Sequence, residues 1–359
     1  MMITNDPRWN DLAKVLVDYS TETAASDRVL IIMREPEVFP LVRAVSARCA
    51  EIGAYSQVLF YSILLEKDLM QKGNDDQAAW VPELWEYAMN WADVCIDLRG
   101  ARNLYDYRDI SAERISVHRQ AEGRISALRT SGTRWALTRV PNEAFAQQAG
   151  RGTDEVMDFY FRAVLQDWEQ ESKRLQQSVE KLNGTSRVRI VGRGTDLSFS
   201  TAGRKYIVED GHYNVPGGEI YTSPVEDSVE GFISFENPGV FAGVMMEEIR
   251  VEFEQGRVVN ATSRTGEDFL KRLLDMDAGA RGVGEFGIGT NRNIDFFCND
   301  ILYDEKIYGT VHIALGRSYK ECGGLNESAL HWDVIKDLRE EGQVYVDDKL
   351  ILDRGELLI

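Results

Sequence analysis

The chain is short of histidine, of cysteine and of positive charge. Its 359 residues hold four histidines, four cysteines, and 41 Lys and Arg against 59 Asp and Glu, for a formal net charge of −18. The missing positive charge excludes a phosphate-backbone partner, because Lys and Arg must neutralise phosphates for nucleic acid to bind. Cys49, Cys95, Cys298 and Cys322 are scattered with no C-x-x-C pair, which excludes a thiolate zinc site and a disulfide framework and leaves reduced thiols. No window approaches the roughly 18 consecutive apolar residues of a membrane span. The opening "MMITNDPRWNDLAKVLVDY" lacks the basic-then-apolar pattern of a leader, so a cytoplasmic protein without a membrane partner is expected.

What the chain does have is two textures. "RVLIIM" (28–33) is a short apolar run, Val38, Leu41, Val42, Val45, Cys49 and Ile52 then recur at helical spacing, and Gly53 ends that helix before "QVLFY" (57–61). "ADVCIDL" (92–98) and "RWALTRVP" (134–141) read as further strands covered on both faces, as in a parallel sheet. One long helical pattern over 154–182, with Met157, Phe161, Val164 and Trp168 on one stripe, closes this half. Beyond it "RVRIVG", "DLSFST", "EGFISF" and "IRVEFEQGRVVNATS" alternate apolar and polar residues between Gly, Asp and Asn turns, the pattern of antiparallel strands. The expectation is an α/β N-terminal domain over 1–184 and an α+β domain with a largely antiparallel sheet over 185–359.

The candidate chemistry lies in the second half. In "SALHWDVI" His331 and Asp333 stand two apart, so on a strand they share a face and could hold one cation between an imidazole nitrogen and a carboxylate oxygen. His312 lies on a second strand, "GTVHIALG". Either feature alone is also an ordinary strand histidine or a surface pair. Their company adds weight: "NVPGGEIYTSP" and "GVGEFGIGTN" place Glu219 and Glu285 directly after glycine among small and apolar residues, where a carboxylate is costly to bury unpaired. Solvent-exposed turn glutamates are the competing reading. The glycines of "GARGVGEFGIGTN" do not make a dinucleotide cradle, because a polar "NRNID" follows where a helix would be needed.

"NVPGGEIYTSPVEDSVEG", "GVGEFGIGTN", "LYDEKIYGTVHIALGRSY" and "NESALHWDVI", in this order, resemble the thermophilic metallo-aminopeptidase family typified by aminopeptidase T, aminopeptidase S and PepS. The resemblance is dense over about 188–359 and thin before it. It implies that the second domain carries a two-metal centre of Glu219, Glu285, His312, His331 and Asp333, with Glu305 of "YDEK" as a further carboxylate and Tyr319 beside the metals. It implies a homodimer, and a substrate that is a peptide or small amide.

Amide hydrolysis agrees with this set, since two cations roughly 3.5–4 Å apart supply both an activated water and a stabilised oxyanion. Glu285 is the expected bridge, Glu305 the expected proton acceptor and Tyr319 an expected oxyanion donor. With no thiolate present, zinc, cobalt or manganese is expected. Two other classes stay open. Ring-opening dihydroxypyridine dioxygenases are similar across the same blocks, and His312, His331 and Asp333 could hold one ferrous iron as a two-histidine, one-carboxylate triad. A non-catalytic binding module is the other.

Overall fold

The computed structural model describes residues 6–359 apart from 101, 102 and 104. The first five residues of the segment read for a leader therefore lie outside the described residues. Two compact units are present: one runs to Gln166 and takes in Gly211–Gly217, and the other comprises Asp167–Asp210 and Gly218–Ile359.

The first unit is built on a parallel sheet. Strand Arg28–Arg34 lies between Tyr55–Tyr61 and Val94–Gly100, followed by Arg134–Val140 and the two-residue strand Asn214–Val215. The apolar runs occupy the middle of this sheet, where Val29, Leu30, Ile31 and Ile32 and then Val94, Cys95 and Ile96 are buried on both faces. Helix Phe39–Ile52 ends at Gly53, whose φ of 83° is the left-handed cap that a Cβ would disfavour. Tyr55–Tyr61 is an edge strand, and Tyr55, Val58 and Phe60 are exposed.

The pattern over 154–182 is two helices rather than one. Thr153–Val164 belongs to the first unit and Trp168–Leu182 to the second. Asp167 makes the break: its side chain accepts the Gln170 amide at 3.0 Å and starts a new helix, an N-cap that competes with continuation of the old one. The second helix buries Leu175, Val179 and Leu182 in the core of the second unit, each worth about 1.5–3 kcal/mol of apolar burial.

The second unit packs two antiparallel sheets around that core. The eight-stranded sheet includes Arg187–Gly192, Thr195–Ser200, Glu230–Phe235 and Ile249–Glu254. The five-stranded sheet runs in the order His331–Asp337, Thr310–Gly316, Val283–Gly289, Glu219–Thr222, Ile207–Glu209, every pair antiparallel. Phe199 of one sheet meets Phe286 of the other edge to face at 5.1 Å. Among the described residues no helix is long and apolar enough to cross a membrane. All four cysteines are buried free thiols.

Candidate metal centre

The five-stranded sheet sorts its residues by the two-residue period of a strand. One face carries Ile220, Phe286, Ile288, Val311, Ile313, Leu315, Trp332 and Val334 into the core. The alternate residues, on the opposite face, are Glu219, Glu285, His312, His331 and Asp333. Register aligns them across strands: Asp333 and Glu285 each pair with Ala314, His312 pairs with Gly287, and Glu219 pairs with Gly289. Small residues thus alternate with the functional ones, and the space they leave is used. A Cβ on Gly287 would lie 2.0 Å from His312 Nε2.

The result is two three-residue groups that share Glu285. Glu219, Glu285 and His312 form one and Glu285, His331 and Asp333 the other, each with ligand atoms within 4.8 Å of one another. The two carboxylate oxygens of Glu285 divide between them. Oε1 accepts from His312 Nε2 at 3.4 Å, and Oε2 lies 3.3 Å from His331 Nε2. His312 Nε2 is also 3.5 Å from Glu219 Oε2, and His331 Nε2 is 3.5 Å from Asp333 Oδ2. Both glutamates are buried in strands, not exposed in turns.

The orientation of His331 is fixed from behind, because its Nδ1 donates to the Arg317 carbonyl at 2.8 Å and turns Nε2 toward the carboxylates. Tyr319 joins this side: its hydroxyl is 3.3 Å from His331 Nε2 and its ring packs 5.4 Å from Tyr221. Glu305, at the end of the short helix Ile301–Asp304, stands outside both groups and reaches them through Lys306.

Lys306 was not singled out from the sequence. It is fully buried, its Nζ contacts Glu305 Oε1 and lies 3.3 Å from Glu219 Oε1. The signal was a lysine set directly after a carboxylate at the entry to an apolar strand, and it falls inside "YDEK". A further group, Glu66, His118 and Glu122, lies in the first unit. Its members are mutually satisfied: His118 bridges the Ala78 carbonyl and Glu66, and the Tyr61 hydroxyl donates to Glu122.

Protons balance the charge of the cluster. Burial disfavours the Glu285 anion, but the His312 and His331 hydrogen bonds outweigh it and hold the carboxyl well below the usual range. Burial also opposes the imidazolium forms, yet Glu285 and Glu219 push His312 up to about 10, and Asp333 and Glu285 push His331 up to about 9. Burial raises Glu305 to about 7 and Asp333 to about 6. The cluster thus takes up positive charge wherever it is offered. Among the described residues, Glu219 Oε2 and Asp333 Oδ1 are buried acceptors with no hydrogen-bond donor, a costly condition for carboxylate oxygens unless a cation faces them. The donor set, oxygens and imidazole nitrogens without sulfur, fits a hard or borderline divalent metal.

An α/β unit joined to an antiparallel unit, with linked carboxylate and imidazole groups buried on one sheet face, is the framework of a metal-dependent enzyme. The chain belongs to the thermophilic metalloprotease (M29) family, which it matches over residues 5–349. It is 28% identical over 349 residues to aminopeptidase T of Thermus aquaticus, covering 83% of this chain and 84% of that protein. The solved structure of wild-type AmpT from Thermus thermophilus superposes with a TM-score of 0.87 at 23% identity, over 98% of this chain and 99% of that one. The 2,5-dihydroxypyridine dioxygenase of Pseudomonas putida KT2440 has the same fold more distantly, with a TM-score of 0.65 at 15% identity over 98% and 96% of the two chains. One fold therefore serves two chemistries, and the choice between them falls to the side chains.

Proposed function

We propose that this chain is an aminopeptidase that removes N-terminal residues from peptides, or a related hydrolase of a small amide, with a pair of divalent cations held by Glu219, Glu285, Glu305, His312, His331 and Asp333. The observation that carries the reading is the division of Glu285, one oxygen toward His312 and the other toward His331. A carboxylate shared in this way suits a bridge between two cations, whereas a single ion needs only one of the two groups. When bound, such a pair supplies the charge that polarises a scissile carbonyl and acidifies a water. Zinc, cobalt and manganese all suit the donors.

The protein's own groups supply the proton chemistry. Glu305 lies outside the two groups, a carboxylate held by Lys306 at their edge and placed to take and return a proton. Burial and the surrounding carboxylates push the Tyr319 phenol far above its ordinary value, so it stays protonated and can donate a hydrogen bond to an oxyanion. The net charge of −18 favours the approach of a substrate with a free, cationic amino terminus. We place the enzyme in the cytoplasm as a homodimer, without a nucleic-acid or membrane partner.

Metal stoichiometry measured together with oxygen uptake tests this reading. The purified protein is expected to hold two divalent ions per chain, to hydrolyse an aminoacyl anilide without consuming oxygen, to lose activity on chelation and to recover it with zinc, cobalt or manganese. One ferrous iron per active chain with oxygen-dependent opening of a dihydroxylated aromatic ring would overturn it.

A further inference from the structure

Lys306 breaks the symmetry of the two groups. Its ammonium engages one oxygen of Glu219 and one of Glu305, and the remaining Glu219 oxygen faces His312 at 3.5 Å with no hydrogen-bond donor among the described residues. On the other side Asp333 is partnered by His331, a residue able to give up its proton and become a ligand. Lysine differs in kind from that imidazole: it has no acceptor atom in its charged form and cannot serve as a ligand while it remains an ammonium. The side of the cluster that contains His312 therefore carries a permanent positive charge, and the His331 side does not.

The charge count gives this asymmetry a consequence. In the state that binds cations, with Glu219, Glu285, Glu305 and Asp333 all ionised and both histidines neutral, the carboxylates are opposed among the described residues by Lys306. A first divalent cation then leaves the cluster with one negative charge, and a second leaves it with one positive charge. Without Lys306 the second cation would bring the cluster to neutrality. In a buried site such a difference is screened less than at the surface.

Resting on the two-cation reading above, we propose that Lys306 is a positioning residue that holds Glu219 and Glu305 to one free oxygen each and makes the cation position beside His312 the weaker of the two. The stronger position is the one formed with His331 and Asp333. Lys306 also keeps Glu305 from closing around an ion with both oxygens, which preserves that carboxylate for proton transfer.

Stepwise cobalt binding to the metal-free full chain, measured by competition with a chelator of known affinity, tests the proposal without recourse to turnover. The wild-type protein is expected to show two constants at least about tenfold apart, and His312→Ala to lose the weaker step alone. In Lys306→Met the weaker constant should tighten by at least about tenfold, with the stronger within about threefold of wild type. Lys306→Gln, which keeps a donor while removing the charge, should do the same and replaces the methionine variant if that one does not fold. Two equal constants in the wild type, loss of the stronger step in His312→Ala, or a weaker constant that is unchanged or loosened in a folded Lys306 variant would overturn the proposal while leaving the two-cation reading intact. A single cobalt per wild-type chain would overturn both.

Discussion

The sharpest perturbation of the centre changes none of its candidate ligand residues. Gly287 sits opposite His312 in the strand register, and the imidazole lies across it. A Cβ added at Gly287 would stand 2.0 Å from His312 Nε2, 2.1 Å from Cε1 and 2.9 Å from Cδ2. Non-bonded heavy atoms settle at about 3.5 Å, so the ring must retreat by roughly 1.5 Å. The backbone at Gly287 is not left-handed, so alanine adds no conformational strain and the effect is confined to this contact. Displacements of about 1 Å at a reacting centre cost on the order of 10²-fold in rate, and an overpacked methyl costs about 1–3 kcal/mol of stability. Gly287→Ala is therefore expected to fold, to lower kcat/KM on an aminoacyl p-nitroanilide by about 10²-fold or more, and to lose metal from the His312 side. Gly123→Ala is the matched control, since a Cβ there meets nothing within 4 Å. Wild-type kcat/KM and full metal content in Gly287→Ala would refute the assignment of His312 to the working centre.

Two other substitutions probe the roles proposed for single groups. Glu285→Gln keeps the shape but removes the anion that faces both histidines, so at least one ion should be lost and turnover should fall by at least about 10³-fold in a folded protein; normal turnover with two metals, read by mass spectrometry, would refute the bridge. Tyr319→Phe removes only the hydroxyl beside His331, so kcat should fall by about 10²-fold at unchanged metal content; a full-rate variant would reduce Tyr319 to packing against Tyr221.

How much of this was legible depends on the range over which each feature is encoded. The strands around His312 and His331 could be read locally, because alternation places His331 and Asp333 on one face whatever their neighbours do. The Gly53 stop was legible for the same reason. The helix break at Asp167 was not, since the apolar stripe continues through it and only the cap geometry reveals two helices. Nor was the strand Asn214–Val215 legible, as two residues carry no period and its partner Arg134–Val140 lies far back in the chain. The candidate metal ligands could be named from the motifs and the family resemblance they carry, but the sharing of Glu285 arises from register, a non-local property. Lys306 was hidden differently: a lysine reads as solvated until its burial beside Glu219 and Glu305 is seen.

The likeness to both an aminopeptidase and a dioxygenase gives this register its meaning. His312, His331 and Asp333 would make the two-histidine, one-carboxylate set that a mononuclear iron centre requires, but the strands Thr310–Gly316 and His331–Asp337 place His312 in one group and His331 with Asp333 in the other. What they do not provide is enough negative charge for a second divalent ion. Glu285 comes from the next strand inward, and Glu219 from the strand after that. Each added strand thus contributes one carboxylate to the face that carries these three residues. Glu285 has one oxygen for each histidine, so on the two-cation reading it links the two groups, and it does so in a strand whose Gly287 leaves the room that the His312 ring occupies. On the two-cation reading proposed above, the capacity for a second ion turns on whether the inner strand carries an anion at position 285.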